Sequence, residues 1–189
     1  NIIFTEQQIL QLSNFYQILI DYQNQFNINL TRITDEIDFI NKNIIDTALL
    51  SRQIPANVKN LIDIGSGNGV PGIILAILRT DIKITMLDSI KKKVAFIEYA
   101  ISKLQLEQQC NAINERAETL AKNPNYYEIF DLAIGRAVAE LNQFLELAVP
   151  FVKKNGLIIA PKSVKYLEEL AAAKKIIEVC GLDLKNIYK

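Results

Sequence analysis

The sequence predicts an α/β fold: a doubly wound, mostly parallel sheet preceded by an N-terminal helical cap. Three observations carry this. From Asn60 onward, short apolar runs alternate with helical segments. A glycine-rich stretch, Gly65-Ser-Gly-Asn-Gly69, stands between the first such run and a helix. The runs Phe130-Asp-Leu-Ala-Ile134 and Leu157-Ile-Ile-Ala160 are nearly continuous in apolar residues, as strands buried on both faces are.

The cap comes first. Thr5-Glu-Gln-Gln8 has the pattern of a capping box, and behind it Ile9, Leu12, Tyr16, Leu19 and Phe26 recur at helical spacing as a core-facing stripe. A second helix is predicted from about Thr34 to Leu50, with Ile37, Ile40, Ile44, Ile45 and Leu49 on its apolar side. Residues 51–59, which include Pro55, read as the connector into the sheet. Strands are predicted at 60–64, 83–88, 110–114, 129–135 and 156–161, and helices at 71–79, 90–104, 139–149 and 163–180. Pro71 suits a first helical turn, and Ser89 is placed to cap the helix after it. One domain overall is predicted, with 1–55 as the cap and 56–189 as the core.

Composition excludes several classes. Lys plus Arg and Asp plus Glu number 21 each, so any nucleic-acid contact must come from a local patch. No run of about 18 apolar residues predicts a membrane span. No basic segment followed by an apolar one predicts a signal peptide, so a cytoplasmic location is expected. Cys110 and Cys180 follow no metal spacing and read as reduced thiols; no metal is expected. The chain contains no histidine, which excludes histidine triads, histidine zinc sites and histidine general bases.

The glycine stretch admits two readings. Gly67-Asn-Gly69-Val-Pro-Gly72 fits the G-x-G-x-x-G dinucleotide fingerprint, and Gly65-Ser-Gly67-Asn-Gly69 fits the G-x-G-x-G turn of S-adenosylmethionine-dependent methyltransferases. Asp63, just before the turn, favours the second. A carboxylate there repels a pyrophosphate and attracts a cofactor bearing an ammonium and a sulfonium. Asp88, ending the next strand near the usual offset of about 20 residues, is the candidate acceptor for ribose hydroxyls.

Several motifs in order carry a family likeness. Asn29-Leu-Thr-Arg-Ile33, Asn43-Ile-Ile-Asp-Thr47, Asp63-Ile-Gly-Ser-Gly-Asn-Gly-Val-Pro-Gly-Ile73, Leu87-Asp-Ser-Ile-Lys-Lys-Lys93, Phe130-Asp-Leu-Ala-Ile-Gly-Arg-Ala137 with Leu141, and Ala160-Pro-Lys162 resemble the signatures of one family. It is the small-subunit ribosomal RNA guanine-N7 methyltransferases, the glucose-inhibited-division B family, and the likeness runs from about residue 5 to 180. It implies a Rossmann-like class I methyltransferase fold, S-adenosylmethionine as cofactor, small-subunit ribosomal RNA as partner, and action as a monomer.

The resemblance also implies site roles. Asp63, Gly65, Gly67, Gly69 and Val70 belong to the cofactor loop, Asp88 to the ribose, and Ala117 and Glu118 to the adenine side. Arg136 matches a ligand-contacting arginine, with a structural pairing to Asp63 or Glu140 as the alternative. Guanine N7 is a lone-pair nucleophile without a proton, so no general base is expected and Arg136 is the candidate catalytic residue, by positioning. Lys162 and Lys165, then Lys91 and Lys92, are candidates for RNA contact; Lys153 and Lys154 are expected at the opposite edge. The sequence departs from the family at Asn43, where the family has a histidine, and at Ser163, where a glycine is usual. The family's C-terminal strand pair is expected to be absent or cut off, the chain ending at Ile187-Tyr-Lys189 as a strand begins.

Overall fold

A computed structural model describes residues 2–188. Five parallel strands, β1 (Asn60–Ile64), β2 (Lys83–Asp88), β3 (Cys110–Asn114), β4 (Phe130–Ile134) and β5 (Val152–Ile159), lie in the order β3-β2-β1-β4-β5. The chain builds outward from β1 to β3, then crosses back to β4 on the other side. The order therefore reverses between β1 and β4, and doubly wound sheets hold ligands beyond the carboxyl ends of the strands at such a point.

The period of two along each strand divides the core. Leu61, Ile84, Met86, Leu132 and Ile134 join one apolar cluster; Ile62, Ile64, Leu87 and Ala133 join the other. The first cluster is covered by α4 (Gly72–Leu78), α5 (Lys91–Lys103) and the N-terminal helices. The second is covered by α6 (Ala117–Leu120), α7 (Leu141–Ala148) and a 3-10 turn at Val149–Phe151. Leu12, Phe15, Leu19 and Phe39 of the cap share a single cluster with the sheet. No described helix is long and apolar enough to cross a membrane.

The cap differs from its prediction in detail. The capping box at Thr5 forms and α1 runs Glu6–Phe26, but its buried stripe is Leu12, Phe15 and Leu19. Ile9 and Phe26 are more than half exposed: Ile9 sits on the flank of the stripe, and Phe26, in the last turn, packs on Tyr22. The second helix is α2 (Glu36–Phe39), a π-helical turn (Ile40–Ile45) and α3 (Asp46–Ser51). A π turn carries an extra residue and so rotates the succeeding turns of helix about the axis. Asn43 and Ile44 within it, and Thr47 and Ala48 beyond it, face inward, while Ile40 and Leu49 face solvent; before it, Phe39 is buried and Ile37 exposed.

Three boundaries also move. Ser89 does not cap α5: the N-cap position is Ile90, whose N–H donates to the Asp88 carboxylate at 2.8 Å. The fifth strand begins at Val152, four residues early, with a register shift against β4 and Asn155 at φ 64°. The predicted helix 163–180 is two short helices, α8 (Tyr166–Ala172) and α9 (Lys174–Val179), joined at buried Ala173. Ile187 and Tyr188 lie in no strand, and Lys189, the last residue of the expected strand start, lies outside the described residues.

At the edge opposite the strand C-termini, Asp131 ties three strands. Its Oδ2 accepts from the N–H of Lys59 (2.8 Å) and of Asn60 (2.9 Å), and its Oδ1 from Lys153 Nζ (2.8 Å). Partial burial raises the Asp131 pKa, but Lys153 and the two backbone donors outweigh it and hold the carboxyl below its ordinary value. Because the folded-state value is depressed, the stabilisation is present above about pH 4 and is lost as pH falls through the folded value. Asp131→Ala should lower unfolding free energy by about 1–3 kcal/mol at pH 7. In denaturant titrations repeated at decreasing pH, the gap between wild type and variant should close below about pH 4.

Candidate functional site

Alternation along β1 puts Asp63 on the same face as Leu61, beneath the start of α4. Its side chain is wholly buried, and Oδ2 accepts from the Gly72 N–H at 3.0 Å. Gly72 is required there by space: a Cβ would stand 2.7 Å from Met86 and 2.8 Å from Asp63 Oδ2. Asp63 Oδ1 has no partner among the described residues and is closed off. Burial pushes the Asp63 carboxyl up to about 7, opposed by hydrogen bonds and by the Arg136 charge.

Asp88 ends β2 one strand over. Its Oδ2 accepts from the Gly67 N–H at 2.9 Å and its Oδ1 from the Ile90 N–H. Thus the glycine loop and the helix start behind it are held by strand-end carboxylates on two sides. Gly67 has φ 59°, and a Cβ there would meet only Gly65 O at 3.7 Å and Lys93 Nζ at 4.0 Å. The loop is therefore open over Gly67, on the side where a ligand would lie against backbone. Each oxygen of a carboxylate has lone pairs beyond the one already used, so Asp88 retains acceptor capacity for further donors. Asn114, at the end of β3, donates from Nδ2 to the Asp88 carbonyl at 3.0 Å. Asn114 was not singled out by sequence pattern; Lys93, the last residue of the Leu87–Lys93 signature, stands beside Gly67. Ala117 is buried and Glu118 exposed in the first turn of α6, just past β3.

Arg136 lies after β4 in the loop 135–140. It pairs with neither Asp63 nor Glu140. Nη1 donates to the Lys42 carbonyl at 2.8 Å, and Nη2 donates to Asn43 Oδ1, both in the π turn of the cap. Burial lowers the guanidinium pKa, opposed by the charges of Asp46 and Asp63. Ala137, next in the loop, adopts φ 55°, a costly conformation for a residue with a side chain. Val138 lies against the glycine loop: a Cβ on Gly65 would stand 2.8 Å from its Cγ2.

The far side of this loop is braced by Lys162. Its Nζ donates to the Ala139 carbonyl (2.8 Å) and pairs with Glu169 (2.7 Å), whose Oε2 also accepts from the Leu141 N–H (2.9 Å). Lys162 is thus engaged in holding the loop, unlike its expected role at an RNA surface. Lys91 and Lys92 are exposed in the first turn of α5, and Lys165 is exposed before α8. Lys153, facing Asp131, lies at the opposite edge as expected.

Known proteins share both the sequence and the architecture. The family model described as rRNA small subunit methyltransferase G (GidB) matches residues 8–189. A ribosomal RNA small subunit methyltransferase G from Clostridium botulinum (strain Okra / Type B1) is 38% identical over 191 residues, covering 100% of this chain and 78% of the relative. One from Desulforamulus reducens is 40% identical over 187 residues, covering 98% and 76%. Among solved structures, a precorrin-6y C5,15-methyltransferase from Geobacter metallireducens GS-15 superposes with TM-score 0.53 at 14% identity, covering 71% of this chain and 70% of that one. P. horikoshii TYW2 in complex with MeSAdo superposes with TM-score 0.57 at 15% identity, covering 74% and 52%. These two likenesses concern the fold.

The burial of Asp63 has a measurable consequence. Its folded-state pKa is raised above the unfolded value of 3.8 to about 7, so the cost of burying its charge grows as pH rises between those values and is constant above. Asp63→Asn keeps an acceptor for the Gly72 N–H and removes the charge. The unliganded variant should be more stable than wild type by about 2–4 kcal/mol at pH 8, with the advantage shrinking below pH 7 and gone near pH 4. Thermal melts across that range test this; a pH-independent difference would refute the assignment.

Proposed function

This chain belongs to the rRNA small subunit methyltransferase G (GidB) family, and we propose that it transfers a methyl group from S-adenosylmethionine to N7 of a guanine in small-subunit ribosomal RNA, in the cytoplasm. The observation that carries the reading is the meeting, at one sheet edge, of the loop Gly65–Gly69, the carboxylate Asp88 and the guanidinium Arg136. The open space above Gly67 and the spare acceptor capacity of Asp88 fit an adenosine-containing cofactor. S-adenosylmethionine, when bound, supplies an electrophilic methyl group on a sulfonium.

The residues bind and orient. Asp88 accepts from the ribose, Ala117 and Glu118 border the adenine, and Gly65, Gly67, Gly69 and Val70 form the backbone platform. Asp63 acts through the platform and through its field. It anchors the start of α4, and its negative charge, once ionised, favours a cationic ligand nearby. Arg136 contacts guanine O6, an RNA phosphate or the cofactor's polar tail. It cannot take the common bidentate grip on O6 and N7, because N7 must stay free to attack. N7 has no proton to lose, so the reaction requires in-line placement rather than a base, which suits a chain without histidine.

Lys91 and Lys92 on one side of the switch point, and Lys165 on the other, are proposed to contact RNA phosphates. Three lysines in the first turn of α5 oppose the helix dipole, a local cost that an RNA phosphate would relieve. The Hoogsteen edge is unreadable in the deep groove of A-form duplex, so the target guanine belongs to a loop or a distorted helix.

The experiment is methyl transfer from radiolabelled S-adenosylmethionine to isolated small ribosomal subunits, with nucleoside mapping of the product. Label appearing as 7-methylguanosine at one position supports the reading; label only in small-molecule pools overturns it. For the cofactor, Asp88→Ala should weaken binding of S-adenosylmethionine by about 1–3 kcal/mol in calorimetry. Gly67→Val places a branched side chain at φ 59° and over the platform. It should abolish binding with a near-normal far-UV circular dichroism spectrum. Full affinity in both folded variants would remove this loop from the cofactor site.

A further inference from the structure

Asn43 is 1% exposed, in the π turn Ile40–Ile45 of the cap. Its Oδ1 accepts from Arg136 Nη2, while the carbonyl of the preceding residue, Lys42, accepts from Nη1. Both acceptors come from a single turn remote in sequence from the arginine, and two fixed nitrogens fix the plane of the guanidinium. The carboxamide orientation is set too, since the reverse would oppose N–H to N–H. Its Nδ2 then has no hydrogen-bond partner among the described residues, as Asp63 Oδ1 has none. A carboxamide buried with an unmatched N–H is a poor choice for packing alone. A guanidinium has five N–H donors; with two directed into the cap, three remain for a ligand.

We propose that Asn43 is the positioning residue for Arg136: the π turn of the cap, through the Asn43 carboxamide and the Lys42 carbonyl, sets the direction in which the arginine meets its ligand. This rests on the reading of Arg136 as a ligand-contacting residue. The cap then belongs to the site, because the loop after β4 carries the arginine while the cap aims it.

A double-mutant cycle tests the proposal. S-adenosylmethionine affinity and single-turnover methylation of small subunits are measured for wild type, Asn43→Ala, Arg136→Ala, the double variant and Asn43→Asp, with thermal melts alongside. Asn43→Ala should lose about tenfold in whichever quantity Arg136→Ala impairs, and the double variant should be no worse than Arg136→Ala alone. Asn43→Asp, which retains an acceptor for the guanidinium, should recover most of the loss. A packing role would lower the melting temperature, leave the folded protein's affinity and rate unchanged, and give multiplicative effects; that result overturns the proposal. Where Asn43→Ala does not fold, Asn43→Leu, close in shape and without an acceptor, takes its place in the cycle. Wild-type values for Arg136→Ala would instead sink the reading of Arg136 itself. Impairment there with none in folded Asn43→Ala would sink only the role of Asn43.

Discussion

The site depends on one kind of interaction: carboxylates at the ends of parallel strands gripping backbone N–H groups of the glycine loop and of the helix it opens. Asp63 holds Gly72, and Asp88 holds Gly67. A loop whose residues adopt positive φ has little intrinsic preference for one shape. Charge-assisted hydrogen bonds from two neighbouring strands remove that freedom, and sheet register fixes the strands relative to each other. The platform inherits its geometry from the sheet.

The cost of this arrangement is electrostatic. Asp63 is buried far enough to raise its pKa to about 7, and Arg136 is buried far enough to lower its own. Each offsets part of the other's desolvation, since opposite charges attract strongly where water is excluded. The fold thus holds a carboxyl and a guanidinium close to the ligand edge without pairing them directly. The arginine's hydrogen bonds go to the Lys42 carbonyl and the Asn43 carboxamide of the cap rather than to either carboxylate.

The loop after β4 is braced on both flanks. The π turn holds Arg136, and Lys162 with Glu169 holds Ala139 and Leu141. The left-handed conformation at Ala137 lies between these braces and is held by them. Elements distant in sequence, the cap and the segment after β5, therefore share control of this short connection. For the proposed chemistry, in which placement of N7 against the methyl group is the source of rate, such over-determination has a direct use.

The sequence by itself determined the order of strands and helices, the sheet class, the glycine loop and the carboxylates at the strand ends. These depend on local pattern: period two against period 3.6, and glycine where a strand turns into a helix. Asp63 and Asp88 were legible because strand ends are legible. Tertiary structure alone decided the rest. The π turn set the inward face of the second helix, and the hydrophobic period did not show it because two of the inward residues, Asn43 and Thr47, are polar while Ile40 and Leu49 face solvent. Packing between distant elements also decided that Arg136 meets Asn43 rather than Asp63, that Lys162 braces a loop, and that Asp131 ties β1, β4 and β5 at the far edge. A charged side chain reaches several partners from its place in a sequence, and which one it takes depends on packing between elements far apart along the chain.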